Sequence, residues 1–236
     1  MKAYVDPNLR PLHEQSSPSI LSIRIRLPPP MEFPPRKVVC FHFVPRSGSN
    51  LLADLIWQTG QLGHPLEYFS SVNHADLMTR FGSMEEMISA CTTQNGLFSF
   101  KWNSDFEKIP FAREIYERLK PQHHILVDRR DVRAQTMSFA KSRKTGQWVI
   151  TTSSKMERRR RDVTQLELLR ARFRLWMIRT ATSSYQKTRN VNVLAVDYED
   201  LLEAPKETLS RIFDHCGETP PADLPTKAVN MVKSRP

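Results

Sequence analysis

The chain has 236 residues, 39% of them hydrophobic and 25% charged, with a formal net charge of +10. That composition suits one large α/β domain with a full core and excludes a chain disordered throughout. No apolar run reaches membrane-spanning length and no secretory signal opens the sequence, so a cytoplasmic protein with no transmembrane segment is expected. The positive balance points to a polyanionic ligand, a nucleic acid or an acidic surface, without choosing among them.

Residues 1–36 stand apart. Eight prolines punctuate them, and they read as a Pro-rich N-terminal extension, partly disordered, in which Ile20 to Leu27 could pair as an edge strand. The folded domain is expected over residues 37–236. It opens on Val38 to Val44, a nearly unbroken apolar run of the kind buried on both faces of a parallel sheet. Pro45 stops the strand. Arg46, Ser47, Gly48, Ser49 and Asn50 follow, and a helix starts near Leu51. A strand, a tight Gly-containing loop and a helix N-terminus make an anion site, because free N–H groups and the helix dipole both favour negative charge. Arg46 adds a positive fork, and Ser47 and Ser49 add hydroxyl donors. The nucleoside-triphosphate loop is a different motif, since no Lys follows Gly48. An ordinary strand-turn-helix connection is the competing reading.

Gly60 ends the helix, and Gly63-His64-Pro65 makes a second break. Glu67 follows between Leu66 and Tyr68-Phe69, and would reach the anion loop only if the chain doubles back. Taken alone, it reads as a solvated carboxylate. Ser83 and Glu86 open a short helix as a capping box. Leu97 to Trp102 is a second buried strand, with Lys101 either a snorkelling edge residue or an anion contact. A helix over Phe111 to Leu119 leads to a third strand, His124 to Val127, and then to Arg129 and Arg130. These arginines either face a ligand or pair with Asp128 and Asp131. A helix from Asp131 carries Ser138, eight residues beyond Arg130.

Ser142 to Trp148 reads as a basic, Gly-broken loop, and Thr151 to Lys155 as polar and mobile. A long helix is expected over Met156 to Lys187. Its front carries Arg158 to Arg161, a solvated charge run or a nucleic-acid contact. Val163, Leu166, Leu169, Phe173, Trp176 and Met177 recur at helical spacing, so that face is expected to pack on the core. Val191 to Val196 is the fourth strand, and Lys206 to Cys216 a final amphipathic helix closed by Gly217. Strands alternating with helices argue for a parallel α/β sheet with ligands at the carboxyl ends of its strands. Cys40, Cys91 and Cys216 lie far apart and show no metal-ligand spacing, so reduced cysteines and no metal are expected.

Together these segments resemble the sulfotransferases that use 3′-phosphoadenosine 5′-phosphosulfate (PAPS), and most closely the bacterial trehalose 2-sulfotransferases. Pro45 to Leu52 is similar to that family's 5′-phosphosulfate loop, and Arg130 with Ser138 to its 3′-phosphate motif. Gly63 to Phe69 resembles the segment carrying the general base, which would be Glu67. Phe100 to Trp102, Thr145 to Trp148, and Val196 to Leu201 with Pro205 resemble further family segments. The resemblance implies a P-loop-like three-layer fold, PAPS as sulfuryl donor and no metal. It also implies a carbohydrate or glycolipid acceptor and a homodimer, with no nucleic-acid partner. Arg46, Ser47, Gly48, Ser49, Asn50, Leu51, Arg130 and Ser138 would hold the donor. Pro65, Tyr68, Phe69, Lys101 and Trp148 would line the acceptor site. The long helix carries Leu168, Leu175 and Ile178 off its main stripe, which would serve the dimer. A P-loop kinase and a non-catalytic nucleic-acid binder are the rival readings; Mg²⁺-ATP turnover would mark the first, and a steep salt dependence of binding the second.

Overall fold

A computed structural model describes residues 34–146, 148 and 162–229. The edge strand expected over Ile20 to Leu27, the polar stretch Thr151 to Lys155 and the run Arg158 to Arg161 lie outside the described residues. The sheet has four strands: β1 (Lys37–Phe43), β2 (Leu97–Trp102), β3 (His123–Asp128) and β4 (Val193–Asp197). All pairings are parallel, and the order across the sheet is β2-β1-β3-β4. Helices α1 (Ser49–Thr59), α2 (Ser71–Phe81), α3 (Met84–Cys91), α4 (Pro110–Leu119), α5 (Val132–Thr145), α6 (Gln165–Arg189), α7 (Tyr198–Glu203) and α8 (Pro205–His215) connect and flank the strands.

The period-two alternation of a strand explains the layers. Along β1, Val38 and Cys40 face a core shared with α3 and α4, while Val39, Phe41 and Phe43 face one shared with α1 and α8. Both faces are apolar, so each must be covered, and a three-layer sandwich results. β1 sits between strands reached in opposite directions along the chain, the kind of switch point at which α/β sheets bind ligands.

Four helices differ from expectation, among them α7, which stands where only a turn is expected. α2 was not foreseen. It is polar on average and starts where the Ser70 side chain accepts the Asn73 N–H. α5 runs on through Ser142 to Thr145 instead of yielding to a loop. Gly146, at φ 72°, ends it, and Arg143 and Lys144 suit the negative end of its dipole. α6 starts at Gln165, where Thr164 and Glu167 form a capping box, rather than at Met156.

The buried face of α6 also differs. Ala171, Leu175 and Ile178 pack with Phe139 and Ala140 of α5. Leu166, Leu169, Phe173, Trp176 and Met177 stay 41–65% exposed. The small side chain of Ala171 lets two backbones approach, which large residues would prevent. Both stripes repeat at helical spacing, so periodicity alone could not choose between them.

Candidate active site

The site gathers at the carboxyl ends of the strands. After β1 the chain turns sharply, with Arg46 at φ 66° and Gly48 at φ 82°. Ser47 N–H donates to the Val44 carbonyl at 3.2 Å, and Leu52 N–H to the Gly48 carbonyl at 3.0 Å. Among the described residues no side chain caps α1. Its first N–H groups therefore open onto the loop. Ser47 is fully buried, and its hydroxyl finds no hydrogen-bond partner among the described residues.

Gly48 lies under the ring of Tyr198, the first residue of α7. A Cβ there would sit 2.3 Å from Tyr198 Cδ2. Gly48→Ala is thus expected to lower stability by about 1–3 kcal/mol, through the left-handed backbone and the displaced ring. In a Tyr198→Ala background the same change should cost measurably less. Equal losses in both backgrounds, read from urea midpoints, would show that the ring does not set the loop.

Arg46 is the centre of the cluster. Its Nε donates to Ser138 Oγ at 2.9 Å, and its NH1 to the Trp148 carbonyl. Among the described residues it has no carboxylate partner. Burial, and next the positive charge of Arg129, push its pKa below the usual arginine range. Arg129 lies over the Tyr198 ring at 4.7 Å. Arg129 is itself paired with Glu199 at 3.8 Å, so Arg46 is the cation left facing the free N–H donors of the loop, an arrangement that asks for an anion.

A rigid brace stands behind them. Gln135 Nε2 donates to the Pro45 carbonyl at 3.0 Å. Arg179 from α6 forks onto both oxygens of Asp128, at 2.7 and 2.8 Å, and donates to Gln135 Oε1 at 3.0 Å.

Arg130 and Ser138 are not brought together as expected. Ser138 joins Arg46. The Arg130 side chain is 51% exposed and pairs with Asp200 at 2.7 Å and Asp197 at 3.3 Å. Glu199 accepts the N–H groups of Arg130 and Asp131 at 3.0 and 3.2 Å. The alternative, pairing with Asp128 and Asp131, also differs from what is found. Asp128 is taken by Arg179, and the Asp131 side chain caps α5 through the Ala134 N–H.

Glu67 does reach the loop, because the chain doubles back. Leu66 bridges in parallel to Phe100, and Lys101 N–H donates to the Leu66 carbonyl at 2.8 Å. The segment thereby extends the sheet beyond β2. Gly63 allows this approach, since a Cβ there would meet Ser99 N at 2.5 Å. The Lys101 side chain is 1% exposed. Its ammonium donates to Glu67 Oε1 at 3.0 Å and to Asn50 Oδ1. Lys101 therefore ties a 32% exposed carboxylate to the first turn of α1. Pro65, Tyr68 and Phe69 are buried. The Tyr68 hydroxyl donates to the His64 carbonyl at 2.6 Å, and the Phe69 ring packs edge-on to Phe100 at 5.1 Å. These three shape the segment from inside, whereas Trp148 is 41% exposed beside Phe139.

His64 stacks on Trp57 at 3.9 Å, and burial lowers its pKa from 6.5 to about 4. A group with a depressed basic pKa keeps its full contribution above the unfolded value and loses it as pH falls. The folded state should therefore lose about 2–3 kcal/mol between pH 6.5 and 4 through this ring. Urea titrations at pH 7.5 and 4.5 should show a smaller acid loss for His64→Leu by that amount. Identical losses would remove His64 from the acid response.

Residues 111–234, more than half of the chain, match the family model described as Stf0 sulphotransferase. The sulfotransferase domain from the curacin biosynthetic pathway is similar in structure, with a TM-score of 0.53 at 15% identity, over 80% of this chain and 76% of that one. The sulfotransferase domain of the Synechococcus PCC 7002 olefin synthase gives a TM-score of 0.49 at 19% identity, over 82% and 76%. None of the curated proteins matches the chain. The loop after β1 and Glu67 precede the matched segment; Arg129, Arg130, Ser138, Trp148 and Tyr198 fall inside it. No helix among the described residues is long and apolar enough to cross a membrane. A parallel sheet with an anion-seeking loop at its switch point is what such a transferase needs, and on the family match the chain belongs to the Stf0 sulphotransferases.

Proposed function

We propose that the chain moves a sulfuryl group from PAPS to a hydroxyl of a carbohydrate or glycolipid acceptor. The observation that carries this reading is Arg46, a part-buried guanidinium without a carboxylate partner among the described residues, facing the uncapped start of α1. An anionic donor supplies the missing charge. The loop from Arg46 to Leu51 would hold the 5′-phosphosulfate. Ser138 would hold the 3′-phosphate, joined by Arg130 once its side chain turns from Asp197 and Asp200. Glu67 would take the proton from the acceptor hydroxyl as its oxygen bonds to sulfur. The bond from sulfur to the phosphate oxygen breaks in the same step, and 3′,5′-adenosine bisphosphate leaves.

Lys101 would couple the two ends. As Glu67 gains the proton, its hold on the ammonium weakens, and that charge becomes available at Asn50 beside the departing phosphate. The exposed Trp148 ring offers an apolar face to a sugar. Cys40, Cys91 and Cys216 are all free and buried, which fits a reducing, cytoplasmic setting.

Isothermal titration with 3′,5′-adenosine bisphosphate tests the donor. Micromolar or tighter binding is expected, and Ser138→Ala and Arg130→Ala should each weaken it by about 1.5–3 kcal/mol. Unchanged affinity in both variants would rule out the 3′-phosphate assignment.

We also propose a homodimer, formed through the outer face of α6. Leu175 and Ile178 are buried in the core, so Leu166, Leu169, Phe173 and Trp176 supply the apolar surface instead. Light scattering should give twice 27.4 kDa at micromolar concentration, and Trp176→Glu should give the single chain. A wild-type protein that remains at 27.4 kDa would sink this.

A further inference from the structure

On the face of the sheet opposite the loop's helix, three side chains that play no part in sulfuryl transfer meet in the core. Cys40 and His42 lie two residues apart on β1 and so share a face, and His124 lies beside them on β3. All three are buried, and one potential ligand atom from each lies within 4.8 Å of the others.

The hydrogen bonds fix the tautomers. His124 Nε2 faces the Pro121 carbonyl at 3.1 Å, so it must donate there. His124 Nδ1 is then an acceptor, and His42 Nε2, 3.1 Å away, donates to it. His42 Nδ1 is left with a lone pair and no partner among the described residues, inside a fully buried side chain. The Tyr116 hydroxyl lies beside both the Tyr185 hydroxyl and the Cys40 thiol. The Tyr185 ring lies 5.7 Å from both the His42 and the Tyr116 rings.

We propose that Cys40, His42 and His124 form a buried site for monovalent copper, with one thiolate and two imidazoles as ligands. Two nitrogens held about 2.0 Å from one metal stand about 3.3–3.5 Å apart, close to the 3.1 Å found here. The metal takes the place of the shared proton. That proton moves from His42 Nε2 to His42 Nδ1, and the Cys40 proton passes to solvent as the copper–sulfur bond forms. No electron is exchanged.

Charge and donor number choose the ion. Copper(I) with one thiolate is neutral, which an apolar core tolerates. A divalent ion would leave a positive charge near Arg189, which lies over the Tyr116 and Tyr185 rings at 5.1 and 4.7 Å. Zinc also prefers a fourth ligand, and the group among the described residues has three.

The test is an anaerobic titration of the full, reduced chain with copper(I) held by a chromophoric competitor, followed by X-ray absorption. One copper per chain is expected, with one proton released and a shell of one sulfur and two imidazole nitrogens. Cys40→Ala should bind about 100-fold more weakly or worse, while Cys91→Ala and Cys216→Ala bind normally. If Cys40→Ala does not fold, the wild-type shell decides. No uptake, a shell with two sulfurs, copper retained by folded Cys40→Ala, or tight zinc binding without copper binding would each overturn the site.

Discussion

Glu67→Gln is expected to lower sulfuryl transfer about 100-fold or more, mostly in kcat, while affinity for 3′,5′-adenosine bisphosphate stays within a few-fold. The glutamine keeps an oxygen where Lys101 now donates at 3.0 Å, so the bridge to Asn50 and the first turn of α1 should persist. What it loses is the ability to accept a proton. A carboxylate with no catalytic part would leave both quantities unchanged. A purely structural one would lower both together, because Lys101 is almost fully buried and an unbalanced ammonium would disturb the loop. Bisphosphate affinity and transfer rate measured on one preparation separate these outcomes. Trehalose, glucose and simple glycolipids with radiolabelled donor are the acceptors to screen first.

Arg46→Gly is expected to pull stability and function in opposite directions. Arg46 holds φ 66°, a left-handed conformation that costs a residue with a Cβ about 1–2 kcal/mol and costs glycine little. It also keeps a part-buried cation near Arg129. Removing both burdens should raise the unfolding free energy by about 1 kcal/mol. Donor affinity should fall by about 1.5–3 kcal/mol, or roughly 10- to 150-fold, as the charge-assisted contact is lost. The strain is then an investment in the site, as at other functional turns. If the variant is less stable and binds the bisphosphate as well as the wild type, Arg46 is a structural link to Ser138 and the Trp148 carbonyl.

The strands were the legible part of this fold. β1 is a nearly unbroken apolar run and β2 is buried at every position, and only a strand covered on both sides can use such segments. The loop from Arg46 to Asn50 was legible for the same reason, since it follows directly from β1. Other features depend on what packs where. The inward stripe of α6 is chosen by the small Ala171, not by the larger apolar stripe beside it. α2 is held by the Ser70 cap and carries no apolar run to announce it. Arg46 meets Ser138, and Lys101 joins Glu67 to Asn50, because strands distant in sequence are neighbours in the sheet. Cys40, His42 and His124 show no metal-ligand spacing along the chain, because two residues on one strand and one on the next are brought together only by the sheet.

The same long reach has a consequence for how the protein becomes active. The links that define the site span 92 residues from Arg46 to Ser138, 102 from Arg46 to the Trp148 carbonyl and 51 from Asn50 to Lys101. Contacts so remote are closed only after the chain has surrendered most of its conformational entropy, so they form late and slowly. A nascent chain that has made β1, its loop and α1 already carries the anion-seeking motif, yet has no Ser138, Arg129 or Lys101 to complete it. With the proposed donor site, affinity for the bisphosphate should therefore emerge in one step with the closing of the sheet and stay absent from shorter pieces, so that its binding would report complete folding.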